Sequence, residues 1–253
     1  MTHAEHTPVV EGVVAAIAIP ERGAVGNAAF VDLGDSKLVV DTHVTPAAGR
    51  ELREQAEPVS WVLNTHWHAD HVLGNGEFPG ATIVATTRTR ELMATIGAER
   101  LAAAKKESPE RELPDELRLP DETFEETWDF DRAQALTFGG GHTESDSVLL
   151  VPDARVLVAG DLVVVGMQPW AGHGDPAAWA GILERLLELD WDQVVPGHGP
   201  VSGREVIEPL REDLLALDEA VRDGGDLPDR FRSWGQPDMW AQNLEALSAE
   251  SRP

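Results

Sequence analysis

The apolar positions fall into short runs that alternate with amphipathic stretches. Val9 to Ile19 is apolar and rich in β-branched residues and predicts a strand. Ala28–Leu33 and Lys37–Asp41 flank Gly34-Asp35, the signature of two strands joined by a tight turn. Pro46 opens a predicted helix through Ala56, and Val59–Asn64 is a strand apolar enough to be buried. Ala81–Thr86 predicts another strand, and Thr87–Ile96 a helix with Thr87 as its cap. Strands alternating with helices predict a sheet covered by helices. The periodicity lapses over 97–130, which are charged and interrupted by Pro109, Pro114 and Pro120, with a short helical piece at Glu99–Lys106. This stretch reads either as a solvated connector or as a cap over a site, since long insertions in compact domains are often functional. In the cap reading Phe124 and Trp128 line the pocket mouth.

The pattern resumes at Ala135–Phe138, continues with Ser147–Val151, the turn Pro152-Asp153-Ala154 and a strand Arg155–Ala159 that ends at Asp161. Leu162–Val165 leads into a glycine-rich loop, Met167 to Gly174. Asp175 and Pro176 read as the cap and first position of a helix whose apolar face is Ile182, Leu183, Leu186, Leu187 and Leu189. Gln193–Val195 predicts a strand reaching His198. Glu205–Arg222 predicts an amphipathic helix ended by Gly224-Gly225, and residues 226–253 are acidic and partly helical. There Trp234 and Trp240 pack down or form a partner surface, which leaves room for a homodimer.

The chemistry concentrates after Val59–Leu63, in Thr65-His66-Trp67-His68-Ala69-Asp70-His71. Three imidazoles and a carboxylate within six residues are costly to hold together unless a cation binds them. His66 and His68, two apart on an extended segment, point the same way, while Asp70 and His71 face a second ion as the chain turns into a helix. Candidates to complete two metal shells stand downstream: His142 in Gly139-Gly140-Gly141-His142-Thr143, Asp161 in Ala159-Gly160-Asp161, and His198 in Pro196-Gly197-His198-Gly199. Each lies among glycines, near an apolar strand-like run. Asp41 closes a predicted strand, either as a plain strand cap or beneath the metal loop, and His43 follows it.

Composition narrows the partners. The chain has 253 residues and a net charge of −25, from 45 acidic and 20 basic residues. That balance disfavours nucleic acid, whose phosphates need Lys and Arg. There is no Cys, so any metal ligand is His, Asp or another oxygen donor. The N-terminus lacks the basic and apolar regions of a signal peptide, and no apolar run approaches a membrane span, so a cytoplasmic, soluble protein acting on a small molecule is expected. Ligands spread from 66 to 198 must meet in one site, so a single domain over 1–253 is expected, with 97–130 as a candidate cap insertion and 204–253 as a C-terminal helical extension.

In these motifs and their order, over residues 9 to 205, the chain resembles the metallo-β-lactamase fold superfamily. NTHWHADHVLGN, GGGHTESDS and VPGHGPV are most similar to a bacterial branch of stand-alone hydrolases that includes quinoprotein-relay metallohydrolase-like proteins. The resemblance implies an α/β fold (α+β in some schemes), a four-layer αββα sandwich of two mixed sheets. It implies two Zn2+ ions, with Fe or Mn as substitutes. His66, His68 and His142 would hold the first, Asp70, His71 and His198 the second, with Asp161 bridging. Asp41 would bond the backbone of the metal loop from below.

On that reading a metal-bridging hydroxide, oriented by Asp70, attacks the carbonyl of a small ester, thioester, lactone or lactam. Relatives with other specificities use a Tyr, and this chain has none. His173, in the glycine-rich loop, is therefore the candidate donor to the substrate, and Trp67, Met167 and Trp170 are candidate pocket residues. Dedicated lactamases of this fold carry a Cys or no bridging carboxylate at the position of Asp161, which implies a general hydrolase. Two alternatives remain: an iron persulfide dioxygenase-like oxidoreductase with one ion, and a non-enzymatic metal-binding member.

Overall fold

The computed structural model describes residues 2–223 and 237–250. The first sheet runs β1 (Ala4–Val10), β2 (Val13–Ala18), β3 (Ala28–Asp32), β4 (Lys37–Val40), β5 (Val59–Leu63), β6 (Thr82–Thr86) and β7 (Glu122–Phe124) in that spatial order. It is antiparallel from β1 to β4 and parallel from β4 to β7. The second sheet is formed by β8 (Thr127–Phe130), β9 (Ala133–Gly139), β10 (Asp146–Val151), β11 (Val156–Val164), β12 (Gln193–His198) and β13 (Ser202–Gly203), again in chain order across the sheet. Only β11 and β12 pair in parallel there.

Strand periodicity explains the layering. Val13, Ala15, Leu38, Val40 and Leu63 face Ala135, Leu149, Val151, Val156 and Val158 across the space between the sheets. Their neighbours point the other way, because successive side chains alternate across a strand. Ala16, Phe30, Val39 and Val62 pack outward on Leu52 and Ala56 of α1 (Pro46–Ala56). Leu157, Ala159 and Val194 pack outward on α5 (Pro176–Glu188), α6 (Ile207–Asp223) and α7 (Pro237–Glu250) through Trp179, Leu183, Leu214 and Trp240. Helix, sheet, sheet and helix make the four-layer sandwich that the motifs implied. Strands buried on both faces also explain the near-continuous apolar runs of the sequence.

Several elements differ from the sequence reading. Val9–Ile19 is not one strand: Gly12 takes φ +80° and folds it into the hairpin of β1 and β2, pairing Ala4 with Ala18. β1 is polar at its start, so its pattern gave no signal. Thr86, not Thr87, caps α3 (Thr87–Leu92), accepting from the Thr89 N–H at 3.0 Å. α3 continues through a π-turn at Met93–Gly97 into α4 (Ala98–Glu107). β11 runs on through Asp161 to Val164. Phe124 and Trp128 do not reach the pocket mouth: Phe124 is buried between the sheets, and Trp128 packs against the same core, 6.3 Å from Trp61 in an edge contact. The part of 97–130 that approaches the site is its first half. Trp240 is buried against the second sheet, whereas Trp234 and Gly224-Gly225 lie outside the described residues. Among the described residues no helix is long and apolar enough to cross a membrane.

Candidate metal centre

Four segments converge at one end of the sandwich. The loop leaving β5 carries His66 and His68, and the short helix α2 (Ala69–Val72) that follows carries Asp70 and His71. The β9–β10 loop carries His142, β11 carries Asp161, and β12 ends at His198. His66, His68, His142 and Asp161 form one cluster whose ligand atoms lie within 4.8 Å of one another; Asp70, His71 and His198 form another. Asp161 sits between them. Its Oδ2 is 3.2 Å from His142 Nε2, 3.3 Å from His198 Nε2 and 3.9 Å from His66 Nε2, and its Oδ1 is 3.1 Å from His71 Nε2. Asp70 Oδ2 is 3.3 Å from His198 Nε2 and 3.6 Å from His71 Nε2. All seven sequence candidates for metal binding therefore meet here.

The far side of each ring settles which nitrogen faces the cluster. Thr65 Oγ1 donates to Asp41 Oδ2 at 2.7 Å, so it accepts from His66 Nδ1–H at 3.0 Å. His71 Nδ1–H donates to Asp41 Oδ2 at 2.8 Å, and His142 Nδ1–H to the Trp170 carbonyl at 2.9 Å. The proton of each neutral ring is thus used outside the cluster, and each Nε2 lone pair points in. His66 Nε2, His71 Nε2 and Asp161 Oδ1 are buried without a hydrogen-bond partner among the described residues. Buried polar atoms are rarely left so, and a cation shared among them satisfies the whole set. Asp41 lies near His66 and His71, but both its oxygens are committed: Oδ1 accepts from Thr65 N at 2.9 Å, and Oδ2 from Thr65 Oγ1 and His71. It bonds the loop from below rather than offering itself to the centre.

Electrostatics points the same way. Burial holds His66 and His68 well below the usual imidazole range, which keeps them neutral. Burial also opposes charge on His71 and His198, yet Asp161 and Asp70 override it, raising His71 and taking His198 to about 10. Asp70 and Asp161 are held low against the same burial, chiefly by His71 and His198 respectively. The carboxylates demand positive charge, which protons on these rings or a bound cation can supply.

Of the supporting residues, the resemblance implied Asp41, while Asp146 and Asn27 escaped the sequence reading. Asp41 (φ 60°) and His43 (φ 64°) take left-handed backbone, a strained turn that aims the Asp41 carboxylate under the loop. Asp146 accepts from Gly141 N at 2.9 Å and from Thr143 N and Oγ1 at 3.0 and 2.8 Å, fixing the His142 loop. The pattern Thr143-x-x-Asp146 was the available signal. Asn27 Nδ2 donates to the carbonyls of Pro196 and Gly199 and pins the His198 turn. A Cβ at Gly197 would collide with Asp161 Oδ1, and one at Gly26 would lie 2.5 Å from His71 Nε2. His43 is buried, with Nδ1 2.8 Å from the Gly26 carbonyl and its pKa lowered to about 4 by burial; it lines neither cavity described next.

Two cavities open on the cluster. One, of about 470 Å³, lies toward α4 and is lined by Trp67, His68, Asp70, Arg100, Trp170 and His173 among others. The other, of about 670 Å³, shares His68, Asp70 and Trp170 and extends past Asp161, Met167 and His198. Trp67, Met167 and Trp170 thus line cavities as well as packing. His173 is placed differently from the expectation. Its Nδ1 is 2.8 Å from His68 Nε2, and its Nε2 is 2.7 Å from Arg100 Nη2. Both ring nitrogens are engaged within the protein, so neither is free to meet a substrate carbonyl. Burial first, then Arg100, lowers its pKa to about 4.

Comparisons with known proteins agree with this architecture. The sequence profile of the metallo-beta-lactamase superfamily matches residues 22–198, an interval that includes all seven converging side chains. The alpha subunit of 2,4-dinitroanisole O-demethylase from Nocardioides sp. (strain JS1661) is 29% identical over 176 residues, 65% of this chain and 50% of that subunit, so the match spans half that relative's length. Metallo-beta-lactamase type 2 from Bacillus cereus is 27% identical over 200 residues, 75% of this chain and 71% of that protein. The crystal structure of the metallo-beta-lactamase from Hirschia baltica shares the fold, with a TM-score of 0.70 at 20% identity over 83% of this chain and 97% of that one.

Asp41 supports His71 from behind, and such supporting bonds typically carry about 10–100-fold in metal affinity. Asp41→Asn is expected to weaken zinc binding by roughly that factor, read by competition with a chromophoric chelator. Unchanged affinity would reduce Asp41 to a strand cap.

Proposed function

The chain belongs to the metallo-β-lactamase superfamily, and on that footing we propose that it is a dinuclear zinc hydrolase of small esters, thioesters, lactones or lactams. The observation that carries the proposal is the inward convergence of imidazole lone pairs on either side of Asp161. His66 Nε2, His68 Nδ1 and His142 Nε2 would hold one ion. Asp70, His71 Nε2 and His198 Nε2 would hold the other, and Asp161, within reach of both groups, would join them. A donor set of nitrogen and oxygen without sulfur suits zinc and admits Fe or Mn. Bound there, two cations supply an acidified water at neutral pH and Lewis acidity toward a carbonyl.

The chain's own groups do the rest. Asp70 is the cluster carboxylate that lines both cavities, so it meets a substrate spanning them and is placed to take a proton from the attacking water. Trp67 and Trp170 wall the centre with apolar rings and limit bulk water. The first half of 97–130, through α4, closes one side of the cavity and serves as its cap. His173 acts through His68: its Nδ1 lies 2.8 Å from His68 Nε2 and orients the ring whose Nδ1 is turned to the centre. His173 is thus a positioning residue, in place of the substrate donor expected from sequence.

Two experiments test this reading. Asp70→Ala should lower kcat by on the order of a hundredfold or more on whichever substrate emerges from a panel of ester, thioester, lactone, lactam and phosphodiester compounds, as expected when a group that handles protons is lost. Near-normal turnover would contradict the role of Asp70. His173→Ala should lower metal affinity roughly tenfold or more with the fold intact. His173→Asn, whose side-chain amide can bond His68 in place of the imidazole, should restore much of it. Full metal affinity in His173→Ala with reduced kcat would return His173 to the substrate.

A further inference from the structure

We propose that the cavity beside α4 is a subsite for a carboxylate carried by the substrate, bound by Arg100 and Arg111. This rests on the hydrolase reading above and narrows its substrate class.

The first observation is charge placement. Other arginines of this acidic chain are spent on carboxylates, as Arg50 on Glu77, Arg88 on Glu144, Arg118 on Asp121 and Arg155 on Asp192, or on backbone carbonyls, as Arg90, Arg132 and Arg204. Arg100 and Arg111 both line the cavity, and neither has a carboxylate at ion-pair distance among the described residues. Glu107 lines the same cavity without pairing with either. Two guanidiniums left without anionic partners beside a reaction centre form a ready site for planar, bidentate recognition of a carboxylate.

The second observation is a count of donors. Arg100 Nη2 lies 2.7 Å from His173 Nε2, with its guanidinium 5.3 Å from the centre of the Trp67 ring. His173 Nδ1 in turn lies 2.8 Å from His68 Nε2. Arg100 carries five N–H donors and spends one of them on His173, which leaves the rest of its fork for an acceptor in the cavity beside it, and a substrate carboxylate supplies two such oxygens.

The third observation is asymmetry. Among the described residues, the lining of the other cavity, with Val25, Val164, Val165 and Met167, includes no Lys or Arg, and its acidic residues are Asp70 and Asp161 of the centre. A substrate that lays its scissile carbonyl on the centre therefore meets an uncharged, largely apolar wall on one side and guanidinium groups on the other. A half-ester or half-thioester of a dicarboxylic acid fits that division: its free carboxylate lies toward Arg100 and Arg111, and its alkyl portion lies toward Val165 and Met167.

The test uses the zinc-loaded full chain and equilibrium binding, read by fluorescence of the cavity tryptophans. The probes are matched acids, hexanoate against hexanedioate and octanoate against octanedioate, in which one carboxylate can meet the centre in every case. At least one diacid is expected to bind roughly tenfold or more tightly than its monoacid, the order contributed by a charge-assisted hydrogen bond. In the double variant Arg100→Gln, Arg111→Gln that preference should vanish, while zinc content, melting temperature and monoacid affinity persist; both arginines are exposed, so the fold tolerates the change. Equal affinity of diacid and monoacid for the unaltered chain, or a preference that survives in the double variant, overturns the subsite. Zinc bound normally with no diacid preference overturns this inference alone. A chain that takes up no zinc overturns the hydrolase reading and this inference with it.

Discussion

Two carboxylates at the end of the sandwich, Asp161 buried and Asp70 half-buried, set the terms for everything around them. Asp70 and Asp161 have no Lys or Arg at ion-pair distance among the described residues; their close neighbours are imidazoles. Burying unpaired negative charge is expensive, and leaving its partner groups unsatisfied adds to the cost. The fold therefore has to present compensating positive charge at that point. It aims the Nε2 atoms of His66, His71, His142 and His198, with Nδ1 of His68, at the space that the carboxylates share, where each can bear a proton or hold a cation. The two divalent cations proposed for this space would satisfy it more completely than protons can, because one ion can meet several lone pairs at once.

The surrounding structure holds the imidazoles to that task. Asp41 grips both the backbone of the metal loop and the His71 ring, from a turn whose residues at 41 and 43 take left-handed backbone. Asp146 fixes the loop of His142, Asn27 fixes the turn of His198, and the absence of a side chain at Gly197 makes room for Asp161. His173 continues the pattern outward from His68 to Arg100, which links the centre to α4 and to the cavity in front of it. A chain of hydrogen-bond contacts thus runs from His142 through His68 and His173 to Arg100.

Much of this was legible in the sequence, for physical reasons. A dense cluster such as His66-x-His68-x-Asp70-His71 after a buried strand has few uses other than holding cations, and strands buried on both faces write themselves as apolar runs. The sandwich and the convergence of all seven side chains could be anticipated from those signals and from the resemblance they support. What could not be read depends on direction rather than identity. The hairpin at Gly12 was hidden because β1 is a polar edge strand. Phe124 and Trp128 sit near a charged stretch in sequence, but strand alternation turns them into the core. His173 looked free because it lies among glycines; only its ring orientation shows both nitrogens taken. The left-handed turn at Asp41 has only a weak sequence signature, since Asp and His favour positive φ more than most residues but still adopt it only occasionally.

The central claim is that this centre is built for two metal ions. Chelator-treated protein titrated with Zn2+, followed by native mass spectrometry and calorimetry, measures it directly. The account predicts two tightly bound zinc ions per chain, with the second lost selectively in Asp70→Ala. Saturation at one ion under zinc-replete conditions, or a single iron retained in preference to zinc, would contradict it.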